Sequence, residues 1–442
     1  MKKILLLSAI ASFAIAANSV QDLQIDQINM TQTTTLANGV DVSQGHTEIT
    51  NNATVKSVTI TQKDGSAAGN KITNSEITGT DSELHQGLTQ VDNAQLDHAT
   101  LESKNSVNDI HVTGAKSIIR QGNLMVGSSA EVSGETISPL TGASTGENLE
   151  IIQDNQLNTM SSIIDSTIEQ GVTRISNSAD VTQTFKLKQL NVLSDSTSKD
   201  SQLAQGETTI IGGDTADIEQ NIDNSIKNVR VDGVKIDQSK IRLEESCVTN
   251  INDKNDVLAV DDKNRIVGIK AQSSTIVQSA IDINASTVIG LYKNERGNVG
   301  KHLEYNNLIS DVRKLETSIV TQSETKASSD SEISNVTYKN THDIDSSAGV
   351  NANNHMQKLI WIENSKLSQE ETTLKNAALE DTTIDRENIM WDLCAKNSIL
   401  AQNELTVTDS TVTDSDIREN NLMWDIKSRD TVVTQGSTIV TN

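Results

Sequence analysis

Three tryptophans, Trp361, Trp391 and Trp424, stand out in a chain of 442 residues that is only 2% aromatic. Rings repeated along one face could stack on sugars. Strand parity argues for a different place. In "NIMWDLC", Trp391 alternates with Ile389 and Leu393, and in "NLMWDI", Trp424 alternates with Leu422 and Ile426. Aliphatic partners on the same face point inward, so core or cap packing is expected for both. Trp361 lies between Leu359 and Glu363, an ambiguous parity, and core or cap packing is expected for it as well. Acids offer a second chemistry. Glycosidic or lyase cleavage needs carboxylates, often with Lys or Arg, gathered in one groove. Asp and Glu number 60, yet no local stretch concentrates them with basic and aromatic residues. In a coiled chain such a cluster would be dispersed along the sequence. The seven histidines (His46, His85, His98, His111, His302, His342 and His355) show no metal-ligand spacing. Cys247 and Cys394 suit either one bridge or two small buried side chains. "GGDTADIEQ" at 212–220 is a single copy of a glycine–aspartate turn and implies no bound ion. "DINAS" at 282–286 makes Asn284 a candidate glycosylation site. Thr406, Thr408, Thr411 and Thr413 read as outward threonines on short strands. No catalytic residue, cofactor or metal site follows from these patterns.

The elements that would position any site are short strands. "NVRVDGVKIDQSKIRL" at 228–243 pairs Val229 with Val231, Val234 with Ile236 and Ile241 with Leu243. Each pair skips one residue and so shares one face of an extended segment. Asp, Asn, Gly and Ser fill the gaps as turn residues do. Val58 and Ile60, Ile110 and Val112, and Ile281 and Ile283 repeat the device. Longer echoes appear as well. "STIVQS" at 274–279 returns as "SIVTQS" at 318–323 and "TVVTQGS" at 431–437, and "RENIMWDL" at 386–393 returns as "RENNLMWDI" at 418–426. Repeats of this size belong to solenoids, propellers or arrays. Ser, Thr, Asn and Val are poor helix formers, and the strands are too short for blades. The pattern predicts an all-β chain, a single elongated right-handed parallel β-solenoid, or β-helix, with irregular rungs. Rungs of ~20–30 residues would give roughly 14–21 of them and a rod on the order of 70–100 Å.

Composition bounds the function. The net charge of −24 excludes a general nucleic-acid binder, which needs basic patches. Lys2, Lys3 and the apolar run 4–16, ending in Ala14-Ile15-Ala16, form an export signal with cleavage after Ala16. No later run has the ~20 apolar residues of a membrane helix, so the mature chain is expected to have no membrane span.

Signal, Ser/Thr/Asn-rich composition and degenerate Val/Ile pairs together resemble secreted bacterial β-solenoid proteins of the adhesin and autotransporter-passenger type. The chain departs from autotransporters in closing on "GSTIVTN" without barrel-like strands. The resemblance implies export through the inner membrane to the cell surface or medium, with the periplasm as the alternative. It also implies a non-enzymatic role in adhesion or as a fibre or layer component. Expected partners are a surface glycan, a protein, or another copy joined end to end. The rival reading is a secreted β-helix that binds or cleaves polysaccharide. The expected divisions are a signal at 1–16, an N-terminal cap or irregular segment at 17–55, solenoid at 56–300 and a tryptophan-bearing solenoid part at 301–442.

Overall fold

The computed structural model describes residues 13–441 with short gaps; its longest undescribed segments are 134–148, 249–257, 290–302 and 340–353. Residues 1–12 of the expected signal, His46, His302 and His342, and Gly213, Ala216 and Asp217 of the glycine–aspartate turn lie outside the described residues. The described chain is all β and coils into a parallel β-solenoid, each strand pairing with its counterpart one rung on. The one antiparallel pairing among the described residues sets Lys63 and Asp64 against Ala68 and Ala67. Parallel pairing already runs through 17–55, where Ser19–Asp26 pairs with Thr54–Asp64.

The stretch 218–248 shows how a rung is built. Strands Ile218–Lys227, Arg230–Asp232, Lys235–Gln238, Ile241–Glu244 and Cys247–Val248 follow one another. Single left-handed residues separate them: Asn228, Gly233, Ser239 and Glu245. Asn and Gly tolerate this conformation best, which is why turn residues punctuate the sequence so often. Val229, Val231, Val234, Ile236, Ile241 and Leu243 are all buried, whereas Arg230 and Lys235 are exposed. The skip-one pairs therefore face inward as the alternation requires. Each fully buried aliphatic side chain of this size contributes roughly 1.5–3 kcal/mol.

Rung-to-rung pairing turns the pairs into columns. Leu84, Ile119, Ile168, Leu203, Ile236, Ile276, Val320, Leu367, Leu400 and Val433 stack in register. A second column continues from Ile49 through Val91, Val126, Ile175, Ile210, Leu243, Ile283, Ala327, Leu374 and Val407 to Val440.

Two polar columns share this interior. Eleven glutamines, Gln44, Gln86, Gln121, Gln170, Gln205, Gln238, Gln278, Gln322, Gln369, Gln402 and Gln435, are joined by ten amide hydrogen bonds of 2.7–3.0 Å. Ten asparagines from Asn70 to Asn421 are joined by nine. Each glutamine donates to the rung before it, and each asparagine donates to the rung after it. A buried amide without a partner costs about 1–3 kcal/mol; stacking identical amides supplies the partner at every rung. From Gly87 to Asn403, the left-handed residue after the glutamine sits against the asparagines. A Cβ at Gly122 would lie 2.6 Å from Asn155 Oδ1, so glycine suits that corner. At Ser239 the hydroxyl instead donates to Asn264 Oδ1 at 2.9 Å and accepts from Asn224 Nδ2 at 2.9 Å.

The glutamine ladder corrects the expected rung size. Successive glutamines are 33 to 49 residues apart, because a full rung has four corners and a long asparagine-bearing strand beyond the tight part visible in 228–243. Ten steps of about 4.8 Å give a ladder of roughly 50 Å, shorter than expected.

Candidate functional site

The glutamine corner shapes the exterior as well as the core. Residues just before each glutamine alternate outward, yet His85, Glu169, Asp237, Thr321, Ser368 and Ala401 are buried. So are Leu88, Asn123, Val172 and Ala280, two residues past the glutamines. Loss of solvent by outward side chains on both flanks fits a re-entrant bend. The glutamine amides show the same displacement from within. Gln170 Nε2 reaches the backbone oxygens of Asn155 and Val192, and Gln369 Nε2 those of Asn354 and Ile389. The corner is thus pressed toward the opposite wall, and its outer side forms a groove along the coil.

Two ionic clusters occupy this groove. In the N-terminal half, Glu169 accepts from Arg120 Nε at 2.9 Å, Arg174 at 2.7 and 3.2 Å and Asn123 Nδ2 at 2.9 Å. Burial works to raise the Glu169 carboxyl, but Arg174 and then Arg120 outweigh it and hold it below the usual carboxylate range. Burial likewise pulls Arg174 down, and Glu169 overcomes it, keeping the guanidinium firmly charged. Glu83, His85 and Arg120 extend the cluster, with His85 Nε2 2.8 Å from Glu83.

Toward the C-terminus, Glu324, Glu371 and Glu404 stack in one column. Lys366, on the opposite flank, lies 2.6 Å from Glu371 and 3.5 Å from Glu404, and Lys326 pairs with Glu324. Burial raises Glu371, but Lys366 prevails and lowers it; burial lowers Lys366, but Glu371 and Glu404 raise it. Such groups stay ionised through the neutral range. A general acid needs the reverse, a carboxyl pushed up toward neutrality.

Sequence patterns could not assemble this groove, because its members are a rung apart. The signal that locates it is Gln followed by Gly, Ser, Glu or Asn, recurring from Gln44-Gly45 to Gln435-Gly436. The irregular intervals hid it.

The tryptophans do not lie in the core. Trp391 and Trp424 are half-buried on the outside, stacked with ring centroids 5.4 Å apart and planes at 17°. The inward residues are Met390 and Leu393 instead. Asp392, between them, is left-handed with φ 54°, and that corner breaks the two-residue alternation on which the inward expectation rested. Trp361 is 53% exposed, with Nε1 donating to Glu363 at 3.2 Å. It falls where the register shifts between Leu359 and Ile362, so it does not continue the stack. Trp391 and Trp424 cover one another's faces, an arrangement unlike an open sugar platform.

Asn284 ends the strand Thr275–Asn284, half-buried, with its Oδ1 accepting from Ser328 at 3.2 Å. Cys394 is an exposed free thiol. Cys247 lies in register with Thr287. His355 is buried. Thr408 and Thr411 are on the surface as expected. Among the described residues no group of His, Cys, Asp and Glu is arranged to hold a metal ion, and no helix is long and apolar enough to cross a membrane.

No protein-family model matches the chain. No curated protein matches it either. Among solved structures, PL6 family alginate lyase AlyGC and an arginine-to-alanine mutant of it are similar at 8% and 9% identity. Each alignment covers 97% of both chains with a TM-score of 0.12. A likeness at that score carries no argument about activity.

Proposed function

We propose that this chain is an exported, non-enzymatic, elongated protein that acts by surface contact, in adhesion or as a component of a fibre or layer. The unbroken stack from Gln44 to Gln435 carries this reading. It makes a stiff body whose outer faces repeat at every rung, which suits contact over length rather than catalysis at a point. The groove ions favour it too, since Glu169, Glu371 and Lys366 are committed to partners. Cell fractionation with negative-stain microscopy tests the proposal. Rods at the surface or in the medium, starting at Ala17, are the expected result. Retention in the cytoplasm, or Met1 at the start of an exported protein, would overturn it.

The groove column favours one second reading, a polysaccharide-binding or polysaccharide-cleaving coil. Glu371 and Glu404 flank one ammonium along a groove open to an extended polymer. A panel of neutral and acidic glycans, assayed for binding and for new reducing ends, decides between the two. Glycan cleavage lost in Glu404→Gln would replace the contact reading.

A further inference from the structure

The short strands that follow the Asn228 corner stack into a face of their own, one corner before the groove. Arg230–Asp232 pairs with Lys270–Gln272, and that strand with Lys314–Glu316. Alternation sends Val231, Ala271 and Leu315 inward and leaves Arg230, Lys270 and Lys314 exposed. The next two rungs hold one extra residue between their buried ends, Val312 to Leu315 and Leu359 to Ile362, so Arg313 and Ile360 also reach the outer side. Ile360 N donates to Val312 O at 3.0 Å, which sets Ile360 beside Arg313 and Trp361 beside Lys314.

The cations of this face stand directly over one another. Arg230, Lys270 and Arg313 lie on three successive rungs, and among the described residues none of them forms an ion pair. Lys314 pairs with Glu316, and Lys396 neutralises Glu363 at 2.7 Å, so Asp232 is the one unpaired carboxylate of these strands. Like charges set in register repel. A chain with 60 Asp and Glu against 36 Lys and Arg has carboxylates to spare, yet this stack faces water. Such a column costs the fold stability and suits an external anion that repeats at the same interval. An apolar step adjoins it: Ile360 is 64% exposed and Trp361 53%, with the indole edge pinned to Glu363 through Nε1 at 3.2 Å.

We propose that this face binds a linear acidic polysaccharide, one bearing carboxylate or sulfate groups, laid along the coil axis. Rungs about 4.8 Å apart match the length of one sugar in an extended chain. Successive anionic groups then meet Arg230, Lys270 and Arg313, and the apolar face of a following ring lies on Trp361. The exposed indole and isoleucine favour sugar rings over a nucleic-acid duplex, which presents phosphate along its outside. This inference rests on the contact reading and names its face and partner.

The test titrates purified full-length protein into fluorescein-labelled polygalacturonate, heparin, neutral dextran and duplex DNA, read by anisotropy at several salt concentrations. At least one of the two acidic polysaccharides should bind, and dextran should not. Arg230→Ser with Lys270→Ser should weaken binding about tenfold and reduce the salt slope by about two. Trp361→Ala should weaken it about tenfold with the slope unchanged. Arg265→Ser with Lys375→Ser makes the same change of charge on other faces and should bind as wild type. Every variant is checked for β-rich circular dichroism. Absence of binding to both acidic polysaccharides, equal losses in the two double variants, wild-type binding by Trp361→Ala, or tighter binding to DNA than to either polysaccharide would overturn the proposal. Retention of the protein in the cytoplasm would instead remove the contact reading, and binding measured in vitro would leave the face and its ligand class standing.

Discussion

Replacing Asn264 by leucine tests whether the amide ladder holds the coil together. Asn264 is fully buried and makes four hydrogen bonds. It accepts from Asn224 at 2.8 Å and Ser239 at 2.9 Å, and donates to Ser279 at 2.9 Å and Asn307 at 3.0 Å. Leucine shares the branched shape of asparagine and is larger, so no cavity forms. Three of the bonds leave partners that keep another contact: Asn224 still meets Ser239, and Ser279 still donates to Asn307. Each of these losses is worth about 1 kcal/mol. The Ser239 proton loses its acceptor inside the core, at about 2 kcal/mol. The added apolar surface offsets about 1–2 kcal/mol, leaving a net loss of about 3 kcal/mol. Long repeat arrays need not unfold in one step, so the suitable assay is amide hydrogen exchange read by mass spectrometry. Protection in the strands Leu258–Val267 and Leu303–Ser310 should fall about 100-fold. Arg265→Ser, exposed on the same strand, should change nothing. Unchanged or greater protection in Asn264→Leu would mean that the ladder is incidental to stability and that volume alone governs the core.

Ile236→Asp places an unpaired carboxyl in a fully buried column and should cost more than about 3 kcal/mol in local exchange. Lys235→Ser removes the half-exposed ammonium that pairs with the buried Asp237 carboxylate and should cost about 1–2 kcal/mol, still less than Ile236→Asp. Glu169 has a folded pKa below its unfolded value, so its ion pairs add stability above the unfolded value and lose it as pH falls through the folded one. Glu169→Gln should therefore lower the stability measured by urea unfolding at neutral pH, by about 2–3 kcal/mol, and match wild type once the pH has fallen below the folded value. Trp424→Ala removes half of an outside stack and should cost about 1–2 kcal/mol, less than the 3–5 kcal/mol or so of a large core deletion; a loss of the larger size would restore the core assignment.

The solenoid was legible in residues 228–243 because its aliphatic pairs obey the simplest rule, alternation between left-handed corners. What escaped was everything that violates the equation of apolar with inside. Gln238 and Asn224 are as buried as Ile236, but nothing in one rung shows that another amide lies above. Only the column makes them core residues. The groove was hidden for the same reason: Lys366 meets Glu404 across a rung boundary. Trp391 misled because one left-handed residue, Asp392, inverts the facing of whatever follows it.

The opposed directions of the two ladders bear on the electric field at the ends of such a coil. Every side-chain amide carries a dipole, and aligned dipoles in a low-dielectric interior add along the axis as peptide dipoles do in a helix. Ten glutamine bonds point one way and nine asparagine bonds the other. Each complete rung thus adds one dipole of each sign, and the sum stays near zero however many rungs accumulate. A single-ladder coil would instead carry opposite partial charges at its two ends, as a helix does. With two opposed ladders, a rung can be duplicated or deleted in evolution without altering the field at either end.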